Sequence, residues 1–149
     1  MEVHAQIDQV EFRRVSERLD RLVRDTDDLT PAMRAVSEYL LYRAETSFEN
    51  ESAPDGAPWA PLSPATIRER RRSGKDGPIL QRDRRLFNSL DTDHGRDFAA
   101  TGTNLVYAST QQFGRRSDGV EVIPARPFLG VARRDGDEIT DIVARYLER

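Results

Sequence analysis

"LTPAMRAVSEYLLYRAETSFEN", residues 29–50, decides the fold. Thr30 offers a side-chain oxygen to an orphan backbone N–H, and Pro31 at the first helical position has no N–H to lose. Met33, Val36, Leu40, Ala44 and Phe48 follow at gaps of 3, 4, 4 and 4, the period of one helix face. The stretch predicts a helix over 31–50. Tyr39, Leu41 and Tyr42 widen its apolar face, so the helix is expected to be central and contacted on two sides.

Upstream, Phe12, Val15, Leu19, Leu22 and Val23 recur at helical spacing among charges, which predicts a helix over 9–25 capped by Asp8. Val3, Ala5 and Ile7 alternate with His4 and Gln6, the period of a short strand. Downstream, "PDGAPWAPLSPAT" (54–66) carries four prolines and the only tryptophan. Pro54, Pro58 and Pro61 stiffen a connector, and Ser63-Pro64 starts a helix over 64–72. Trp59 is then an anchor delivered by that connector, either into its own core or onto a neighbour.

Leu80, Leu86, Phe87 and Leu90 predict a short helix over 81–90. "DFAATGT" (97–103) reads as a strand ending at Gly102. "NLVYASTQQFG" (104–114) reads as a short helix capped by Asn104 and closed by Gly114. "RRSDGVEVI" (115–123) reads as a loop running into a strand, and "PARPFLGV" (124–131) as a second proline-bounded connector. Asp137 is the expected cap of a closing helix lined by Ile139, Ile142, Val143, Tyr146 and Leu147. The class is α+β: one domain, residues 1–149, with helices packed on a small, mainly antiparallel sheet.

The 149 residues suit one core, and 37% hydrophobic against 33% charged residues makes that core modest. Without cysteine there is no disulfide, thiolate site or cysteine nucleophile. No apolar run approaches a membrane span and residues 1–12 lack signal-peptide character, so a soluble intracellular product without membrane contact is expected. Charge is uneven: −6 over residues 1–60, +5 over 61–90 and −2 over 91–149. Such a profile suits complementarity with nucleic acid or between subunits.

No catalytic pattern appears. His4 and His94 have no second histidine at ligand spacing, and a metal site is not expected. GxSxG, GxxxxGK[ST] and GxGxxG are missing, so no cofactor and no enzyme activity are expected. Arg68, Arg70, Arg71, Arg72, Lys75, Arg82, Arg84 and Arg85 form a basic cluster. It lacks interleaved aromatics for base stacking, which favours a solvated face or salt bridges to a neighbour over a nucleic-acid surface.

Four stretches in order, "PDGAPWAPLSPAT" (54–66), "ILQRDRRLFNSL" (79–90), "GTNLVYASTQQFG" (102–114) and "IPARPFLGV" (123–131), resemble the phage virion morphogenesis family, the tail completion proteins of Mu-like and P2-like tailed phages and prophages. The similarity spans nearly the whole chain. One departure is visible: relatives carry a small residue and glycine before "RL", as in "RTGRL", where this chain has Asp83-Arg84. That turn is expected to be reshaped or absorbed into the helix.

The resemblance implies a non-enzymatic virion component of the tail end or neck, made in the bacterial host cytoplasm. It implies a homo-oligomeric ring, with a hexamer as the expected copy number, joined to neighbouring neck and tail proteins and passing DNA through its channel. Trp59, Leu62, Phe113, Pro127 and Phe128 are the expected interface residues. Arg70, Arg71, Arg72, Lys75, Arg82, Arg84 and Arg85 are expected to face the lumen or form salt bridges. Two alternatives stay open: a DNA-binding accessory factor acting through residues 68–85, and an assembly chaperone that leaves the particle.

Overall fold

Helix α2 (Thr30–Asn50) is about 30 Å long at 1.5 Å per residue, enough to serve two cores end to end. The computed structural model describes residues 9–23 and 28–148, and shows that α2 does so. The side chain that holds its start lies two residues before Thr30, not on it. Asp28 Oδ1 accepts from Thr30 N at 2.9 Å and from the Thr30 hydroxyl at 2.6 Å. Those two bonds, the hydroxyl first, hold the Asp28 carboxyl below its ordinary range. Its end is a left-handed residue, Glu51 at φ 50°, whose N–H bonds Ser47 O.

The first half of α2 builds a helical core. Leu29, Ala32, Met33 and Val36 pack with Ile139 and Val143 of α6 (Arg133–Leu147), and Val15 and Leu19 of α1 (Gln9–Val23) close over them. These three helices are amphipathic or flanked on both sides, as their spacing demands. Helix α6 begins before the expected Asp137. Asp135 Oδ2 accepts from Ala132 N at 2.7 Å, so the third helical residue caps a start whose Ala132 has no side-chain acceptor.

The second half of α2 presents Ala44 and Phe48 to a core made mostly of connectors. Trp59, Leu86, Ala108, Phe128 and Leu129 complete it, with Ile79, Leu80, Phe87, Leu90 and Leu105 half-buried around them. The remaining helices here are short: α3 (Pro64–Arg72), α4 (Arg85–Asn88) and α5 (Ala108–Phe113). The helix expected over 81–90 is only the single turn α4. Helix α5 starts four residues after Asn104, which does not cap it; Tyr107 takes that place without a side-chain bond.

The α+β class holds, with the sheet divided in two. Strands β1 (Asp91–His94) and β2 (Ala99–Gly102) pair antiparallel, Asp91 opposite Gly102 and His94 opposite Ala99. This hairpin lies against α2, where Thr101 Oγ1 donates to Ser37 O at 3.0 Å. Strands β3 (Arg115–Ser117) and β4 (Val120–Ile123) form a second hairpin out of the stretch read as a loop before a strand. Asp118 and Gly119, both at positive φ, make its two-residue turn. The strand expected over Val3–Ile7 lies outside the described residues.

Candidate assembly interface

The proline-rich connector folds back on the end of α2. Trp59 N donates to Glu51 O at 2.8 Å, and Ala53 N to Ala57 O at 2.8 Å. Asp55 Oδ1 accepts from Ala57 N at 3.0 Å, closing the tip. Trp59 is thereby aimed inward and is 6% exposed. Its ring meets Phe48 edge-on at 5.6 Å, and its indole N–H donates to Pro127 O at 2.7 Å. Phe48 also meets Phe87 of α4 at 5.5 Å and Phe128 at 5.3 Å, so two connectors and a short helix hang on one ring.

The second connector is held by a side chain that sequence reasoning missed. Gln112, buried on α5, accepts from Phe128 N and Leu129 N at 3.0 Å each and donates to Leu129 O at 2.8 Å. An amide side chain here stands in for the edge of a strand. Its sequence signal was its place four residues after Ala108, on the buried face of α5. Gly114 must be glycine: at φ 73°, a Cβ would meet Ile123 O at 2.6 Å and Ala125 N at 2.8 Å.

Also unread in the sequence is a buried ionic knot beside the helical core. Arg43 Nε lies 2.7 Å from Asp135 Oδ1, an ion-pair contact without hydrogen-bond alignment. Arg43 also donates to Pro54 O at 3.1 Å, and Tyr39 OH donates to Asp135 Oδ1 at 2.7 Å. Burial, then the bond to Asp135, pushes the Tyr39 phenol well above its ordinary value. The knot ties α2 to α6 and, through Pro54, to the connector.

Of the expected interface residues, Trp59 and Phe128 are buried within the protomer and fill its core. Leu62 and Pro127 are half-buried, and Phe113 is 50% exposed. Phe113 and Pro127 share a groove of about 1000 Å³ with Val10, Pro54, Leu129 and Arg134. Beside Phe113 the β3–β4 hairpin leaves Val120 and Val122 exposed, and the loop before α5 exposes Val106 and Tyr107. Among the described residues, the strands of this hairpin pair only with each other.

The basic cluster divides in four. Arg70 is 6% exposed and donates to Gly77 O at 3.2 Å and Pro78 O at 3.0 Å, holding the loop after α3. Arg82 pairs with Glu69 at 2.7 Å, Lys75 with Asp83 at 2.5 Å and Arg71 with Asp76 at 3.7 Å. The Lys75 bond holds the Asp83 carboxyl below its ordinary range. Arg84 stacks over Phe87 at 4.7 Å. Arg68, Arg72 and Arg85 stay exposed and pair with no described carboxylate. Among the described residues no three His, Asp or Glu side chains gather to hold a metal ion, and no helix is long and apolar enough to cross a membrane.

Compared with known proteins, residues 10–148 match the model of the phage virion morphogenesis family. The chain belongs to that family. It is 32% identical to the putative capsid assembly protein G of Escherichia phage Mu, over 91% of this chain and 90% of that one. It is 31% identical to the tail completion protein S of Escherichia phage P2, over 93% and 99%, and 35% identical to Mu-like prophage FluMu G protein 1 of Haemophilus influenzae, over 84% and 82%. No solved structure matches. All four stretches that carry the family resemblance converge on Phe48, supplying Trp59, Leu86, Ala108, Phe128 and Leu129. Arg84, which stands where the resemblance places a glycine, is in the left-handed region at φ 55°, and α4 starts after it.

Proposed function

We propose that this virion morphogenesis protein is a structural subunit of the head–tail junction, completing the tail by joining copies of itself into a ring. The observation that carries the reading is the end-to-end match to a tail completion protein on one side and a capsid assembly protein on the other, two names that meet at the neck. The exposed surface supports it. Phe113, Pro127, Val120 and Val122 offer an apolar rim to the next copy, with Leu62 at its margin, while Trp59 and Phe128 brace that rim from within. A rim of this kind needs roughly 800 Å² per partner to hold a stable ring, and the β3–β4 edges add strand pairing. A hexamer is the copy number proposed, with the unpaired Arg68, Arg72 and Arg85 facing DNA in the channel.

Light scattering and negative-stain imaging at assembly concentrations test the ring, and proteomics of purified virions tests its place. A protein that stays monomeric with its neck partners and is missing from mature particles would sink the reading; presence on assembly intermediates alone would make it a chaperone. The DNA-binding alternative is weakened by the local pairing of Arg71, Lys75 and Arg82. Charge-neutral variants of Arg68, Arg72 and Arg85 that leave virion yield unchanged would remove the DNA contact from the proposal.

A further inference from the structure

Two arginines are buried together without a counter-ion. Arg70 on α3 and Arg126 in the second connector are 6% and 7% exposed. Their donors go to main-chain oxygens: Arg70 to Gly77 and Pro78, Arg126 to Ala60 at 2.9 Å and Pro61 at 3.0 Å. Among the described residues no carboxylate pairs with either. The nearest acid on α3, Glu69, is held by Arg82. Arg70 Nε is buried with no acceptor at all. Burial, then the Arg70 charge, lowers the proton affinity of Arg126. Carbonyl dipoles offset part of the desolvation of a guanidinium, but two like charges at close quarters call for an anion.

Both arginines line one open pocket of about 400 Å³. Its other walls are the start of α3 (Ser63, Thr66), Leu62, Leu80 and the end of the β3–β4 hairpin (Val122, Ile123). We propose that this pocket is an oxyanion site, which takes a carboxylate or phosphate group between Arg70 and Arg126. Guanidinium donors in a partly dry pocket bind such groups strongly, and the planar fork suits either one. The inference stands apart from the assembly reading, because it rests on these two side chains alone. The oxyanion has two sources: a free phosphate-like ion, or an acidic side chain of a second copy.

The test uses the full chain at fixed ionic strength, with chloride as the control anion. Inorganic phosphate is titrated by calorimetry and thermal unfolding. The expected result is a saturable rise in Tm with phosphate that chloride does not give. Arg126→Gln should weaken phosphate binding about tenfold or more through loss of a charged partner. Thr66→Glu guards against a misfolded Arg variant. It places a carboxylate four residues before Arg70 on the same helix, leaves both arginines intact, and should abolish the phosphate response.

A Tm response equal to that of chloride, or one undiminished in both Arg126→Gln and Thr66→Glu, overturns the site. Light scattering separates the sources. A carboxylate from a second copy makes phosphate and Thr66→Glu each lower self-association, whereas a free ion leaves self-association as it was.

Discussion

The two halves of α2 support cores built by different rules. Around Met33 and Val36 the main partners are helices, α1 and α6, with Ala99 of β2 and Val131 at the margin, and what touches is set mostly by periodic apolar faces. Around Phe48 the partners are connectors, each delivered by a proline, a cap or a side chain bonded to main chain. The helical half tolerates imperfect fit, because adjacent residues on each face share the burial. In the connector half a single ring is the common partner of Trp59, Phe87 and Phe128, so fit concentrates there.

The largest test of this contrast is Phe48→Ala. Phe48 is fully buried, and its loss should cost about 3–5 kcal/mol, near the upper end because three rings lose their partner. Met33→Ala in the helical half should fall toward the low end of the roughly 2–5 kcal/mol typical of a buried aliphatic. Denaturant unfolding compares them. Equal losses would mean that the connectors are not suspended from Phe48.

The Arg43–Asp135 knot crosses the boundary: Tyr39 and Asp135 belong to the helical half, while Arg43, next to Ala44, reaches the connector at Pro54. Asp135→Ala leaves a buried guanidinium without its anion and should cost about 3–4 kcal/mol. The double variant Arg43→Met, Asp135→Leu should cost less than Asp135→Ala alone, since no charge is then left stranded. A larger loss in the double variant would show that the knot contributes net attraction.

The knot also has a pH signature. The Tyr39 phenol is raised in the folded state, so the stability it confers is full below about 10, its ordinary value, and falls as pH rises beyond that. Tyr39→Phe should lessen the alkaline loss of Tm. An unchanged alkaline midpoint would detach Tyr39 from Asp135.

The sequence discloses the helical half well and the connector half poorly, for one reason. Periodicity is a local signal, and Met33, Val36, Ile139 and Val143 carry it in their spacing. Gln112, Arg126 and Arg43 are polar residues whose burial depends on main-chain groups up to 66 positions away, which no local window contains. Trp59 sat between these cases. Its connector was legible as stiff, but the choice between core and neighbour needed Phe48 and Pro127 O in place. The β3–β4 hairpin was half read because Asp118-Gly119 is a turn signal while the flanking "RRS" has no strand pattern.

Trp59→Phe narrows the comparison to one hydrogen bond. Most of the ring contact to Phe48 survives, but Pro127 O loses its indole donor, at about 1–2 kcal/mol. If that bond registers the second connector against the first, the variant should also weaken self-association, because Pro127 and Phe113 share the groove. Loss of stability with assembly intact would confine Trp59 to packing.

The smallest effect is expected at Arg84, a non-glycine residue at positive φ just before α4. A left-handed conformation costs a non-glycine residue roughly 1 kcal/mol, and Arg84→Gly removes that strain. The same change deletes the guanidinium over Phe87, an exposed cation–π contact of about 0.5–1 kcal/mol. It also frees the unfolded chain by a comparable amount, so the terms nearly cancel and stability should move by less than about 1 kcal/mol. Arg84→Ala separates them: it keeps the strain, loses the stacking, and should be less stable than both the parent and Arg84→Gly. If Arg84→Ala instead matches the parent, the stacking contributes nothing, and the turn before α4 is held by Phe87 and Leu86 reaching the Phe48 core.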